Sequence, residues 1–374
     1  VGTMQHAQAV DGPGRREGWP SGAAENGYAK YIGTAFDPKK GLVVGPNMGN
    51  NDTTRANGNV ATVAIGAHSN ATGSSSVAIG GAVVNGAGAI GLGWSTANGD
   101  NSVALGGTGS TIANGNNAFA ASGGNATGES ATAIGSSAIA DGRGGVAVGW
   151  NAESKVNAVG IGFNAKAKAN NTIAIGVEAN NDKANAISNN YSSVSIGVAT
   201  RARAVGSMAM GVSADASGKY SIALGSGNVR GDYTDNANYP KATGEKAIAI
   251  GYDGQALDIN ATAVGSEAHA TAQDATAIGS NAMASAVRTT ALGVNAQALG
   301  SNSIAIGGGA GGTALVGFAE ELNSDGGDIT RSNRNINVAT TAEGDNAVAL
   351  GYYANAANGG VAIGQTSVAA TGGV

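Results

Sequence analysis

Three histidines, His6, His68 and His269, are the only imidazoles in the chain, and there is no cysteine. None of the three has a second ligand at a metal-binding spacing, and without thiols neither a thiolate site nor a disulfide can form. Serine and threonine are abundant, yet none stands with a histidine or paired carboxylates at a spacing that suits nucleophilic catalysis. The glycine-rich run Gly307–Gly312 lacks the Gly-Lys-Ser/Thr that closes a phosphate loop. The sequence therefore predicts no catalytic residue, no metal and no cofactor. What remains is the chemistry of recognition, carried by cations and aromatic rings. Lys166, Lys168, Arg201 and Arg203 alternate with alanine in polar segments, and Trp150 and Phe163 each follow a glycine.

Few large side chains are available to position these groups. Of 374 residues, 64 are glycine and 75 alanine; aromatic residues make up 4% and charged residues 12%. Such material cannot pack an ordinary globular core. Collagen is excluded, because glycine does not recur every third residue and there are only five prolines. A net charge of −5 offers no footprint for nucleic acid, and no apolar run is long enough to span a membrane. The first residues show neither the basic nor the apolar part of a signal peptide, so an exported form would be a mature fragment.

Self-similarity sets the architecture. A tetrad of the type Val-Ala-Ile-Gly recurs nineteen times, from Gly66 to Gly364, with most closing residues 13 or 14 apart. Longer intervals read as insertions at 177–192, 226–246 and 308–344. Gly45, after Leu42-Val43-Val44, reads as one further copy. Residues 1–40 lie outside the pattern and read as an N-terminal cap or partly ordered segment; 41–374 form the repeat domain. Each copy holds two alternating segments, such as Ser303-Ile304-Ala305-Ile306-Gly307 and Val294-Asn295-Ala296-Gln297-Ala298. Alternation with β-branched residues predicts strands. Two short strands and two turns per ~14 residues make one coil of an all-β parallel roll, a two-strand solenoid. Roughly twenty coils at ~4.8 Å give a rod on the order of 95 Å.

Counting back from the closing residue, positions −1 and −3 carry the large apolar residues and are expected to face the core. Position −2, alanine in sixteen copies, then points away. A charge-free alanine ribbon over nineteen copies suits a surface held against another chain. Ala78, Ala104, Ala133, Ala174, Ala223, Ala277 and Ala305 are accordingly the expected oligomer contacts.

Copies such as Ser75-Ser76-Val77-Ala78-Ile79-Gly80, Asn101-Ser102-Val103-Ala104-Leu105-Gly106 and Asn302-Ser303-Ile304-Ala305-Ile306-Gly307 resemble the YadA-like head of trimeric autotransporter adhesins. The resemblance covers about Leu42 to Gly364. It implies a left-handed parallel β-roll, a homotrimer, and exposure on the outer membrane of a Gram-negative bacterium. It also implies a signal peptide, stalk and membrane anchor, none of which is recognisable in this chain; no direct membrane contact by this segment is expected. Heads of this family bind host extracellular-matrix glycoproteins or receptors of the collagen, fibronectin, laminin or integrin class, and the alternative is self-association with copies on neighbouring cells. The family's collagen-associated Asn-Ser-Val-Ala-Ile-Gly motif is matched approximately at Asn101–Gly106 and Asn302–Gly307.

Within the 226–246 insertion, Arg230-Gly231-Asp232 resembles the integrin-binding tripeptide, in a stretch whose Gly227, Asn228, Asn236 and Pro240 suit an exposed turn. These three residues join Lys166, Lys168, Arg201, Arg203, Trp150 and Phe163 as ligand-binding candidates. Trp150 and Phe163 share one register in adjacent coils, which predicts a stacked pair.

Overall fold

The computed structural model describes residues 32–37, 41–46, 54–56, 61–107, 110–177, 187–188, 191–227, 238–309 and 339–373. The described elements are all strands joined by turns, with no helix among them. By contact the chain divides into two compact units, residues 1–170 and 171–374. Each is a parallel β-solenoid with coils about 14 residues apart, as the repeat predicts.

In the first unit, three-residue strands such as Val63–Ile65, Val77–Ile79 and Ile90–Leu92 stack in parallel with Ala64, Ala78 and Gly91 in register. A second sheet stacks the alternate segments, as where Ile139–Ala140 pairs with Glu153–Ser154 and that strand with Lys166–Ala167. The second unit repeats the plan, with Thr262–Val264 on Thr276–Ile278 and His269–Ala270 on Met283–Ala284. Leu42–Val44 pairs in register with Val63–Ile65, so the segment closed by Gly45 is a further coil. Its free edge is covered by Ile32–Asp37, which pairs antiparallel with Gly41–Pro46.

The insertions are shorter than their sequence boundaries. Ile187–Ser188, Lys241–Ala242 and Thr341–Ala342 all lie in ladder register with second-sheet strands. The coil therefore resumes inside each of the spans 177–192, 226–246 and 308–344.

The two faces of the first strand are the reverse of those expected. Position −2 points into the coil: Ala78, Ala104, Ala133, Ala174, Ala223, Ala277 and Ala305 are all at 0% exposure within the single chain. These seven alanines are core residues and cannot touch a second chain. They meet the alanines of the second sheet, such as Ala140, Ala216 and Ala284, to form an interior made almost entirely of methyl groups. Positions −1 and −3 point outward instead, with Ile278 at 38% and Leu292 at 41% exposure. The reason is the width of the coil. One turn of about 14 residues brings the sheets so close that two methyls fill the gap, and a larger residue must be matched by a gap opposite. Val84 is the large apolar residue turned inward among the described residues, and opposite it stands Gly91, where an added Cβ would lie 2.6 Å from Val84 Cγ2.

Tight corners account for the other constant features. The closing glycine Gly211 has φ +121°, and a Cβ there would lie 1.9 Å from the carbonyl oxygen of Gly225 in the next coil. Ser122 closes one coil without glycine because its φ is 54°, inside the left-handed region open to L-residues. Two further corners are left-handed, at position −5 throughout the described coils and at +2 in most of them. They hold Asn101 (53°), Asn302 (59°), Asn151 (54°) and Asn164 (55°). Asparagine tolerates this conformation better than most residues. The asparagine of the Asn-Ser-Val-Ala motif is thus a turn residue of the backbone.

Two stability changes follow, both read from denaturant unfolding. Ala263→Leu overfills the methyl-wide interior and costs about 1–3 kcal/mol. Glu267→Gly, at an exposed corner with φ 56°, relieves left-handed strain and stabilises by up to about 1 kcal/mol.

Candidate functional site

The coil presents two outer surfaces of different character. Positions −1 and −3 of the first sheet form a ladder without a single charge; in the second unit it includes Ile248, Ile250, Val264, Ile278, Leu292, Ile304 and Ile306. Threonines at 262, 276 and 290 interrupt it without adding charge. The outward positions of the second sheet vary from coil to coil, and the charged candidates lie there and at the adjoining corner.

In the first unit Lys166 is not presented to solvent, contrary to expectation. Its side chain is only 9% exposed, with Nζ donating to the Asn151 carbonyl at 2.7 Å and to Glu153 Oε1 at 2.6 Å. Outward position on a strand did not leave it free, because the glutamate one coil earlier draws the ammonium down along the sheet. Lys168, at the corner, is exposed. Lys155, one coil earlier on the same corner, pairs with Asp141.

Beside Lys166 lies the aromatic pair. Trp150 and Phe163 stack with centroids 4.8 Å apart and planes 19° from parallel, at 50% and 41% exposure. The register predicted this contact. The amides beneath it also bond, Asn151 Nδ2 donating to Asn164 Oδ1 at 2.6 Å. Trp94, at the same coil position, lies 3.4 Å from where a Gly81 Cβ would be and tilts against His68. Near the end of the second unit the Tyr352 hydroxyl donates to that of Tyr353 at 3.0 Å, which holds its pKa above the ordinary phenol value.

In the second unit the structure brings together residues that the sequence did not group. Arg201, Asp215 and Lys241 occupy one outward column on successive second-sheet strands. Arg203 lies 3.0 Å from Asp215 Oδ2 and Arg201 Nε lies 3.5 Å from the same oxygen. Tyr239 holds two cations against its ring, Lys241 Nζ 4.4 Å and Arg201 Cζ 5.7 Å from the centroid. Asp215, Tyr239 and Lys241 were missed because an insertion separates Tyr239 and Lys241 from the other residues. Laying the copies in ladder register would have aligned Arg201, Asp215 and Lys241.

Arg230, Gly231 and Asp232 lie outside the described residues. Of the described residues on either side, Gly227 and Tyr239 lie close together: a Cβ on Gly227 would be 2.6 Å from Tyr239 Cβ. Another feature missed from sequence is an amide ladder at the corner of the first unit. Thr72 Oγ1 donates to Asn85 Oδ1, Asn85 Nδ2 to Asn98 Oδ1 and Asn98 Nδ2 to Asn114 Oδ1, each at 2.7 Å. Among the described residues, no three metal-ligating side chains converge, and no helix is long and apolar enough to cross a membrane. His269 Nε2 lies 4.0 Å from Asp253 Oδ2 with no third partner of that kind.

The model of the YadA head domain repeat matches residues 60–82, 85–108, 126–152, 154–179, 202–228, 242–268, 256–282, 284–310, 338–354 and 342–367. These segments span more than half of the chain and coincide with the coils. No curated protein matches it.

Phe163→Ala removes the ring that covers one side of Trp150. Loss of about 0.5–1.5 kcal/mol of stability is expected, with a red-shifted Trp150 emission in the folded protein as the second readout.

Proposed function

Because the chain belongs to the YadA head family, whose members are adhesive and structural rather than enzymatic modules, we propose that it is the head of a trimeric surface adhesin. In this proposal it binds host extracellular-matrix glycoproteins or receptors, of the collagen, fibronectin, laminin or integrin class, from the outer membrane of a Gram-negative bacterium. The observation that carries it is the contrast between the two outer faces. A surface that repeats the same apolar residues coil after coil suits contact with identical copies of itself. A surface that changes charge and shape from coil to coil suits foreign ligands.

The homotrimer contact is assigned to the exposed Val/Ile/Leu ladder at −1 and −3, replacing the alanines that fill the core. Chain association would bury side chains now 36–41% exposed, such as Met210, Ile278, Leu292 and Ile304, and burial of apolar surface is favourable by roughly 25 cal/mol per Å². Ligand contacts are assigned to Lys168, Arg201, Arg203 and the Trp150–Phe163 pair on the other face and its corners, and to the Arg230-Gly231-Asp232 tripeptide. Three chains multiply each weak contact by avidity. Autoagglutination through copies on neighbouring cells is the second function the same surface can serve.

Two measurements test this. The purified chain should sediment as a trimer, and Ile278→Glu with Ile306→Glu should yield folded monomers; a trimer that survives both charges refutes the interface. Immobilised collagen, fibronectin, laminin and integrin should include at least one saturable ligand. Integrin binding lost in Asp232→Ala assigns adhesion to the tripeptide. No binding to any of the four, with clumping of cells that display the head, favours self-association instead.

A further inference from the structure

The second unit gathers three cations about one carboxylate. Arg201, Arg203 and Lys241 surround a single acid, Asp215, whose side chain is 10% exposed. Among the described residues no carboxylate pairs with Lys241, and the next acid along the coil, Asp253, is engaged elsewhere. Gln255 Nε2 donates to Asp253 Oδ1 at 2.9 Å and His269 stands 4.0 Å from its other oxygen. Two polar atoms at the centre of the cluster are buried without a hydrogen-bond partner, Arg201 Nε and Asp215 Oδ1. Arg201 is fixed by its ion pair with Asp215 Oδ2, and the charge presented to solvent is carried chiefly by Arg203, whose side chain is 46% exposed.

Holding the cations together needs compensation, because like charges within one Debye length repel. Tyr239 supplies part of it: its ring lies within cation–π reach of both Lys241 Nζ and Arg201 Cζ. The ring thereby fixes two cations from coils about 10 Å apart along the solenoid. Charge is also segregated over the unit. In the sequence, positions 201–246 carry six cations against four carboxylates, whereas positions 251–373 carry three against ten. Net acidity of the whole chain conceals a local basic patch.

We propose that Arg201, Arg203 and Lys241, arranged about Tyr239, bind a linear sulfated polysaccharide of the glycosaminoglycan type. Three cations laid along the solenoid axis match a polymer that carries anionic groups at intervals, and a guanidinium grips a sulfate through paired N–H donors. The corner residues beside the column, Ser217 and Thr243, are small and polar. The patch lies on the face opposite the Val/Ile/Leu ladder, so it stays accessible when that ladder is covered. The inference deepens the adhesive proposal by naming the chemistry of one partner.

Binding of the whole chain to immobilised heparin tests it, with neutral dextran as the uncharged comparison. Saturable binding to heparin and none to dextran are expected, with release as salt is raised. R201Q/R203Q/K241Q should weaken binding by at least about tenfold, because charge-assisted contacts dominate such complexes. R143Q/K155Q/R288Q removes the same number of positive charges from sites outside the basic patch and should change affinity by less than about threefold. If the triple cluster variant does not melt like the parent, the single variants R203Q and K241Q replace it, each weakening binding measurably. Equal loss in both triples, unchanged binding in the cluster variants, or no binding by the parent overturns the site. Heparin retention without any matrix-protein ligand would leave this site standing and defeat protein-directed adhesion; the reverse result would do the opposite.

Discussion

The separation of two facing sheets by little more than two methyl groups governs everything else in this molecule. A coil of about 14 residues has no room for a conventional core, so the interior is alanine, serine, threonine and glycine. Larger apolar side chains are pushed outside, where a single chain leaves them half-covered. Cohesion along the axis comes from parallel ladders in which every coil bonds to the next. Dispersion between closely packed methyls is small per contact and adds up over many coils. The fold therefore depends on repetition, since no one coil buries enough to stand alone.

Corners impose the second constraint. Each coil reverses direction within a few residues, which calls for left-handed backbone at −5, in most coils at +2, and with one exception a glycine at the close of the first strand. These demands, rather than any ligand, account for the recurrent asparagine and glycine of the motif. Sequence freedom is left to the outward positions of the second sheet and to the insertions. That is where cations, rings and carboxylates accumulate.

Coil length, strand positions, closing glycines and the Trp150–Phe163 stack were all legible in the sequence, because each depends on local spacing alone. The orientation of the first strand was not. Period-2 alternation says which residues share a face but not which face is inside, and the larger apolar set is ordinarily taken for the core. Only the coil's thickness decides otherwise, and thickness depends on two sheets brought together in space. Similarly, Lys166 reads as a solvated cation until Glu153 is placed beside it, and Asp215 is invisible as a partner of Arg201 and Arg203 until coils are stacked. Insertions hid the return of the coil at Lys241 and Thr341, whose two-residue strands carry too little pattern to be seen alone.

The same register that stacks Ala249 on Ala263 and Ala263 on Ala277 makes the coil a unit of length. Gain or loss of one whole coil restores every ladder bond, every corner and both outer faces at once. A change of one residue within a strand instead turns isoleucine inward and alanine outward. Recombination between near-identical repeats can thus alter how far a unit extends in steps of one coil while preserving how it folds, which gives such a gene an inheritable adjustment of reach.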